Sequence, residues 1–176
     1  MGDSLITVVV IVLAAVLMFV FPLLTVSENS DNTAQLSVQN ATTDFVENIR
    51  STGKITLDAY DKYIQTINST GNKFDVEIEV QVLDENPGVK TAQTDYTKIG
   101  ENIYYTQYTT QVLNEIENGN HKKTLKEGDI VTVKALNTNT TIAQLLRNFL
   151  YRVSGNDTSS IAASHSGIIT SNGGNY

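Results

Sequence analysis

Two histidines, His121 and His165, are the first residues to weigh for chemistry, because imidazole titrates near neutral pH. His165 stands between Ser164 and Ser166 in "IAASHSGIIT", so a Ser-His-Asp hydrolase can be written on paper. The Gly-x-Ser-x-Gly elbow that would present such a nucleophile is missing. His121, in "NGNHKK", reads as an exposed loop residue. Asp84, Glu85 and Asn86 offer oxygen ligands but lack the spacing of a calcium loop, so they read as a turn. Asp75, Glu77 and Glu79 alternate with apolar residues, as on the wet face of a strand. Tyr104, Tyr105 and Tyr108 read as packing residues rather than base-stacking platforms. The sequence contains no Gly-rich phosphate loop and no metal-ligand histidine pair. These residues together point to a non-enzyme with no catalytic residue, cofactor or metal.

The bulk composition agrees. The 176 residues carry a net charge of −7 and contain no cysteine, which excludes disulfides and thiolate chemistry. A pI near 4.7 argues against nucleic acid as a partner, since phosphate binding needs clustered Lys and Arg. Asn-x-Ser/Thr triplets at Asn40, Asn68, Asn139 and Asn156 are no more than chance in so Asn- and Thr-rich a chain.

The elements that must position these residues begin with an apolar start. From Leu5 to Val26 no residue is charged. A run of 22 residues meets the ~20 that a spanning helix needs and exceeds the ~7–15 of a signal peptide. The lipid bilayer is therefore the first expected partner. Ile6 stands where N-myristoylation at Gly2 would require Ser or Thr. The first Lys or Arg is Arg50, and Glu28, Asp31, Asp44 and Glu47 precede it. Cytoplasmic flanks carry an excess of Lys and Arg, so the C-terminal side is expected outside. Pro22 should bend or loosen the helix, and "SENSDN" could interrupt it.

Beyond Pro22, Ala34, Val38, Ala41, Phe45 and Ile49 make one apolar stripe at helical spacing, closed by Gly53. A helix from Leu5 to Ser51 would be ~70 Å long, of which only ~30 Å fits in hydrocarbon. Thr56 should cap a second helix bearing Leu57, Tyr60, Ile64 and Ile67 and ending at Gly71. "FDVEIEVQVL" alternates strictly and predicts an antiparallel strand ended by "DENPG". Residues 89–101 read as edge strand or loop. Tyr105, Tyr108, Val112 and Ile116 sit at helical spacing and predict a helix ending at Gly119. A strand follows from Asp129 to Leu136. Ile142, Leu145, Leu146, Phe149, Leu150 and Val153 then make a wide apolar helix face. "IAASHSGIIT" is a last strand, and "SNGGNY" should fray.

This layout resembles the type IV pilin superfamily. Two strings, "DFVENIRSTGKITLDAYDKYIQTINSTGNKFDVEIEVQVLDENPG" and "NTTIAQLLRNFLYRV…AASHSGII", resemble small membrane-anchored proteins found with Tad (Flp-type) pilus systems of Firmicutes. The resemblance implies an α+β, pilin-like fold: a long N-terminal transmembrane helix with an amphipathic extension, then a small antiparallel sheet packed with helices. It divides the chain into a transmembrane helix (1–26), an amphipathic extension (27–52), an extracytoplasmic head (53–170) and a flexible tail (171–176). It implies pilin-like subunits or an inner-membrane assembly platform as partners, in a homo- or hetero-oligomer, and possible prepilin-type processing between Gly2 and Asp3. The helix face that would meet neighbours comprises Val8, Val12, Val16, Pro22, Ala34, Val38, Ala41, Phe45 and Ile49. The chain departs from the family's pattern in having no basic leader, and Thr7 stands where Glu is expected five residues after the cut. An unprocessed or minor, pseudopilin-like component therefore fits better than a major filament subunit. The alternative is a single-pass anchored protein that binds a partner through its head.

Overall fold

The computed structural model describes residues 2–84, 104–151 and 160–174. Its first element, helix α1 (Gly2–Thr52), runs 51 residues without a break, ~75 Å at 1.5 Å per residue. It passes through Pro22, where the lost backbone bond leaves the helix intact. It also passes through Ser27–Asn32, the stretch that could have interrupted it. Ser, Asn and Asp break helices when their side chains bond nearby backbone. Here Glu28 and Asp31 reach tertiary partners instead, Arg147 and Thr141.

α1 ends at Gly53, whose φ of +63° is the left-handed conformation of a helix C-terminus. Its N–H bonds the Ile49 carbonyl at 2.8 Å. Strand β1 (Lys54–Thr56) follows and pairs antiparallel with β4 (Lys122–Thr124). Helix α2 (Leu57–Asn68) is capped by the Thr56 hydroxyl, which accepts from Ala59 N at 3.2 Å. Buried Tyr63 and Ile67 lead its inner face, with Leu57, Tyr60 and Ile64 partly buried beside them.

The main sheet has four antiparallel strands in the order β3-β2-β5-β6. Strand β2 (Phe74–Leu83) alternates as its sequence predicts, with Ile78 and Val80 fully buried and Asp75 and Glu77 exposed. Strand β5 (Ile130–Asn137) lies beside it in a register that sets Ile78 opposite Val133 and Val80 opposite Val131. Strand β6 (Ala162–Ile168) completes that side. Asp129 organises the turn into β5, its buried carboxylate accepting from Leu83 N and Lys126 N at 2.9 and 2.8 Å.

One expected helix is divided. Tyr104–Tyr108 form strand β3, paired with β2, and only Thr109–Asn118 are helix α3. The switch falls at Thr109, whose hydroxyl accepts from Ile78 N at 2.8 Å just past the last strand pair. Tyr105 and Tyr108 thus lie on a strand, while Val112 and Ile116 are buried on the helix. The segment 89–101, most of "DENPG", Val153 and Asn156 lie outside the described residues.

The core is one cluster between the sheet and the outer half of α1. Val38, Val46 and Ile49 of α1 are fully buried with Val131, Val133, Ile78 and Val80. Full burial of each such side chain contributes ~1.5–3 kcal/mol. Phe45 stacks on Tyr63 with centroids 4.7 Å apart and planes 2° from parallel. Thr42 donates to the Val38 carbonyl at 2.7 Å and lies 2.9 Å from the Tyr63 hydroxyl. Its single proton is then committed, so Tyr63 is the donor between them.

The tail expected to fray is held through Gly173. Gly173 N donates to Leu125 O at 2.9 Å, and Asn172 Oδ1 accepts from Glu127 N at 2.8 Å. Gly53 and Gly173 approach backbone to backbone, which only glycine permits.

A Cβ at Gly53 would meet the Ser171 carbonyl and Gly173 N, and the φ there strains any L side chain. Gly53→Ala should therefore cost ~2 kcal/mol or more, read as a lower thermal midpoint of the full chain in detergent. Burial pushes the Tyr63 hydroxyl above its ordinary pKa of 10.0. The neutral phenol thus stabilises the fold in full below that pH, and the contribution is lost as pH rises through the folded-state value. Tyr63→Phe should lose ~1 kcal/mol at neutral pH and show a shallower alkaline decline in unfolding titrations.

Candidate functional site

Helix α1 presents two surfaces to two surroundings. From Leu5 to Val26 nearly every side chain is exposed, including Val8, Val12, Val16 and Pro22. Among the described residues it is the one helix long and apolar enough to cross a membrane. Gly2 and Asp3 form its first turn, where the Asp3 carbonyl accepts from the Thr7 hydroxyl at 2.8 Å.

The outer half is already occupied. Ala34, Val38, Phe45 and Ile49 are buried in the protein's own core, with Ala41 partly buried. The stripe expected to meet neighbouring subunits is thus packed, with Thr42 and Val46 of the same helix, into the chain's own core against the sheet and α2. The long apolar surface that α1 leaves for other molecules is the run from Leu5 to Val26.

Between the two halves sits a polar collar. Arg147 of helix α4 (Ile142–Tyr151) donates to Glu28 Oε1 at 2.8 Å. The Thr141 hydroxyl donates to Asp31 Oδ2 at 2.6 Å. Thr141 and Gln144 form a capping box: Gln144 N donates to the Thr141 hydroxyl at 3.2 Å and Thr141 N to Gln144 Oε1 at 2.9 Å. The collar fastens α4 to the turn of α1 just past the apolar run. "TIAQ" is a legible cap in the sequence, whereas its partners more than a hundred residues away are not.

The seam between α1 and β6 is built from side chains that finish a strand edge. The Gln35 amide pairs with Ala162 as another strand would, donating to its carbonyl at 2.5 Å and accepting from its N–H at 2.9 Å. Arg50 donates to the Ile168 carbonyl at 2.9 Å. These contacts cover an edge whose open backbone would otherwise invite pairing. Arg50 also grips both Glu47 carboxylate oxygens at 2.6 Å, and His165 Nε2 lies 3.4 Å from one of them. The Arg50 guanidinium, and then His165, hold the Glu47 carboxyl below its usual range.

The residues first weighed for chemistry are not brought together. His165 faces α1, while Ser164 and Ser166 point to the opposite side of β6 by strand alternation. Ser166 bonds Thr132 at 2.8 Å. His121 is an exposed turn residue at φ +55°, and its carbonyl accepts from Leu57 N at 3.0 Å. Glu77 pairs with Lys134 across the open sheet face at 3.3 Å. Tyr105 donates to Asp84 at 2.9 Å. The cleft between α1 and α2, about 400 Å³, is lined largely by polar and charged side chains, among them Asp44, Asn48, Asp58 and Lys62.

No protein-family model, curated protein or solved structure matches this chain. What the geometry presents is a surface: an uncovered apolar rod, a polar collar and a head built around the same helix.

Removing the Gln35 amide leaves both Ala162 backbone groups open. Gln35→Ala should cost ~1–2 kcal/mol and speed exchange of the Ala162 amide well beyond that of Val133, measured by hydrogen exchange.

Proposed function

We propose that the chain is a non-catalytic, pilin-like subunit of the minor or pseudopilin-like kind, working in a Tad-type pilus or secretion assembly. The reading is supported above all by α1, a single helix whose first half is bare and apolar and whose second half is the spine of the head. Such a helix holds its subunit in a bilayer and packs side by side with others while the head stays in water. Close van der Waals packing of one helix on another supplies the association, and no active site is required.

In this reading the C-terminal head lies outside the cytoplasmic membrane. The acidic, Lys- and Arg-free segment before Arg50 favours that side. The neighbours are pilin-like subunits or a membrane platform, reached through Val8, Val12 and Val16 rather than through the covered stripe.

A charge on the bare half tests the proposal. Val12→Asp costs ~3 kcal/mol of insertion at mid-membrane, which so long an apolar run can absorb. The expected outcome is loss of higher-order complexes on crosslinking in intact cells, with the head still resistant to protease. Complexes as abundant as those of the unaltered chain would overturn the proposal.

A further inference from the structure

The fold leaves a second apolar surface unexplained. In α4 the wide apolar face anticipated from the sequence is split. Ala143 is buried and Leu146 and Leu150 are half-buried, but Ile142, Leu145 and Phe149 stand out exposed. Phe149 is 67 % exposed and Ile142 62 %. Their spacing of three and four residues aligns them on one side of the helix.

The position of this stripe names its partner. Thr141 meets α1 at Asp31 and Arg147 meets it at Glu28, so α4 descends along α1 toward the apolar run. Near its foot Leu24, inside that run, is buried, while Leu23 and Val26 beside it are exposed. The run is slightly longer than the ~20 residues that hydrocarbon needs, so its last turn reaches the membrane boundary. The Phe149 end of the exposed stripe therefore lies toward the end of the span, and Ile142 lies nearer the level of the collar.

We propose that α4 is an interfacial helix, resting Ile142, Leu145 and Phe149 on the outer leaflet of the bilayer. The inference rests on the reading that α1 spans the membrane. Interfacial helices bury their apolar face ~5–10 Å into the headgroup–acyl boundary. Such a helix usually needs basic residues to find the membrane, but here the span already holds it there. The single arginine of α4 is used on Glu28. The collar and the stripe then fix the tilt and height of the head over the lipid, so the head cannot swing freely about α1.

The chain contains no tryptophan, so one introduced indole reports one place. The full chain is reconstituted in phosphatidylcholine vesicles carrying bromine on the acyl chains. Phe149→Trp should lose about half its emission, as expected for a ring ~5–10 Å into the boundary. Ile142→Trp, nearer the collar's outer side, should lose less. Val12→Trp marks the span and should be strongly quenched, and Leu36→Trp, exposed on the outer half of α1, should not. Quenching at Val12 without quenching at Phe149 overturns the interfacial helix and leaves the span standing. No quenching at either overturns the span and the inference with it. Blue-shifted Phe149→Trp emission without bromine quenching means that protein, such as a second copy, covers the stripe, which also overturns it.

Discussion

Val38, Val46 and Ile49 set the outer half of α1 into one core with the inner face of the sheet, and Phe45 ties the same helix to α2. Each of the fully buried residues contributes on the order of 1.5–3 kcal/mol, more than the half-exposed ion pairs of the surface. Val131, Val133, Ile78 and Val80 are buried in one cluster with this helix and with Val112 and Ile116 of α3. The helix in turn takes its fixed direction out of the head from the sheet. Gln35 and Arg50 then close the backbone at the two ends of β6, so the helix serves as both core and edge cover.

The constraint extends downward. Because α1 is continuous, whatever holds its outer half also aims its apolar half. The collar of Glu28, Asp31, Thr141 and Arg147 marks where the surroundings change. Below it the side chains of α1 are apolar and, Leu24 apart, largely bare; above it, Leu36 apart, they are polar or packed. On the reading proposed above, a helix with that division sits with its lower half in lipid and its collar at the boundary. The head and the apolar half thus act as one lever.

Much of this was legible where one residue pattern had one physical meaning. The alternation from Phe74 to Val82 can be satisfied only by a strand wet on one face. The stripe from Ala34 to Ile49 can only be a buried helix face, but the sequence could not say whether a neighbour or the chain's own sheet would bury it. Tyr104–Tyr108 misled because tyrosines at helical spacing are also good strand residues, and pairing with β2 decides between them. The apolar face of α4 was legible as a helix face, but not that Ala143 would be buried while Ile142, Leu145 and Phe149 stay exposed. The tail was read as loose because its anchors, Leu125 and Glu127, are distant in sequence. The contacts of Glu28, Asp31 and Gln35 are invisible for the same reason.

The central claim is that α1 is one unbroken rod joining membrane and head. The chain has no native cysteine, so a pair introduced at the exposed positions Met18 and Asn48 can carry two spin labels across Pro22 and the collar. An unbroken helix sets these sites ~45 Å apart along its axis, at 1.5 Å per residue. Pulsed electron–electron double resonance on the full chain in lipid nanodiscs should give one narrow distribution near that distance. A broad distribution, or one centred well short of it, would contradict the rod and the account built on it.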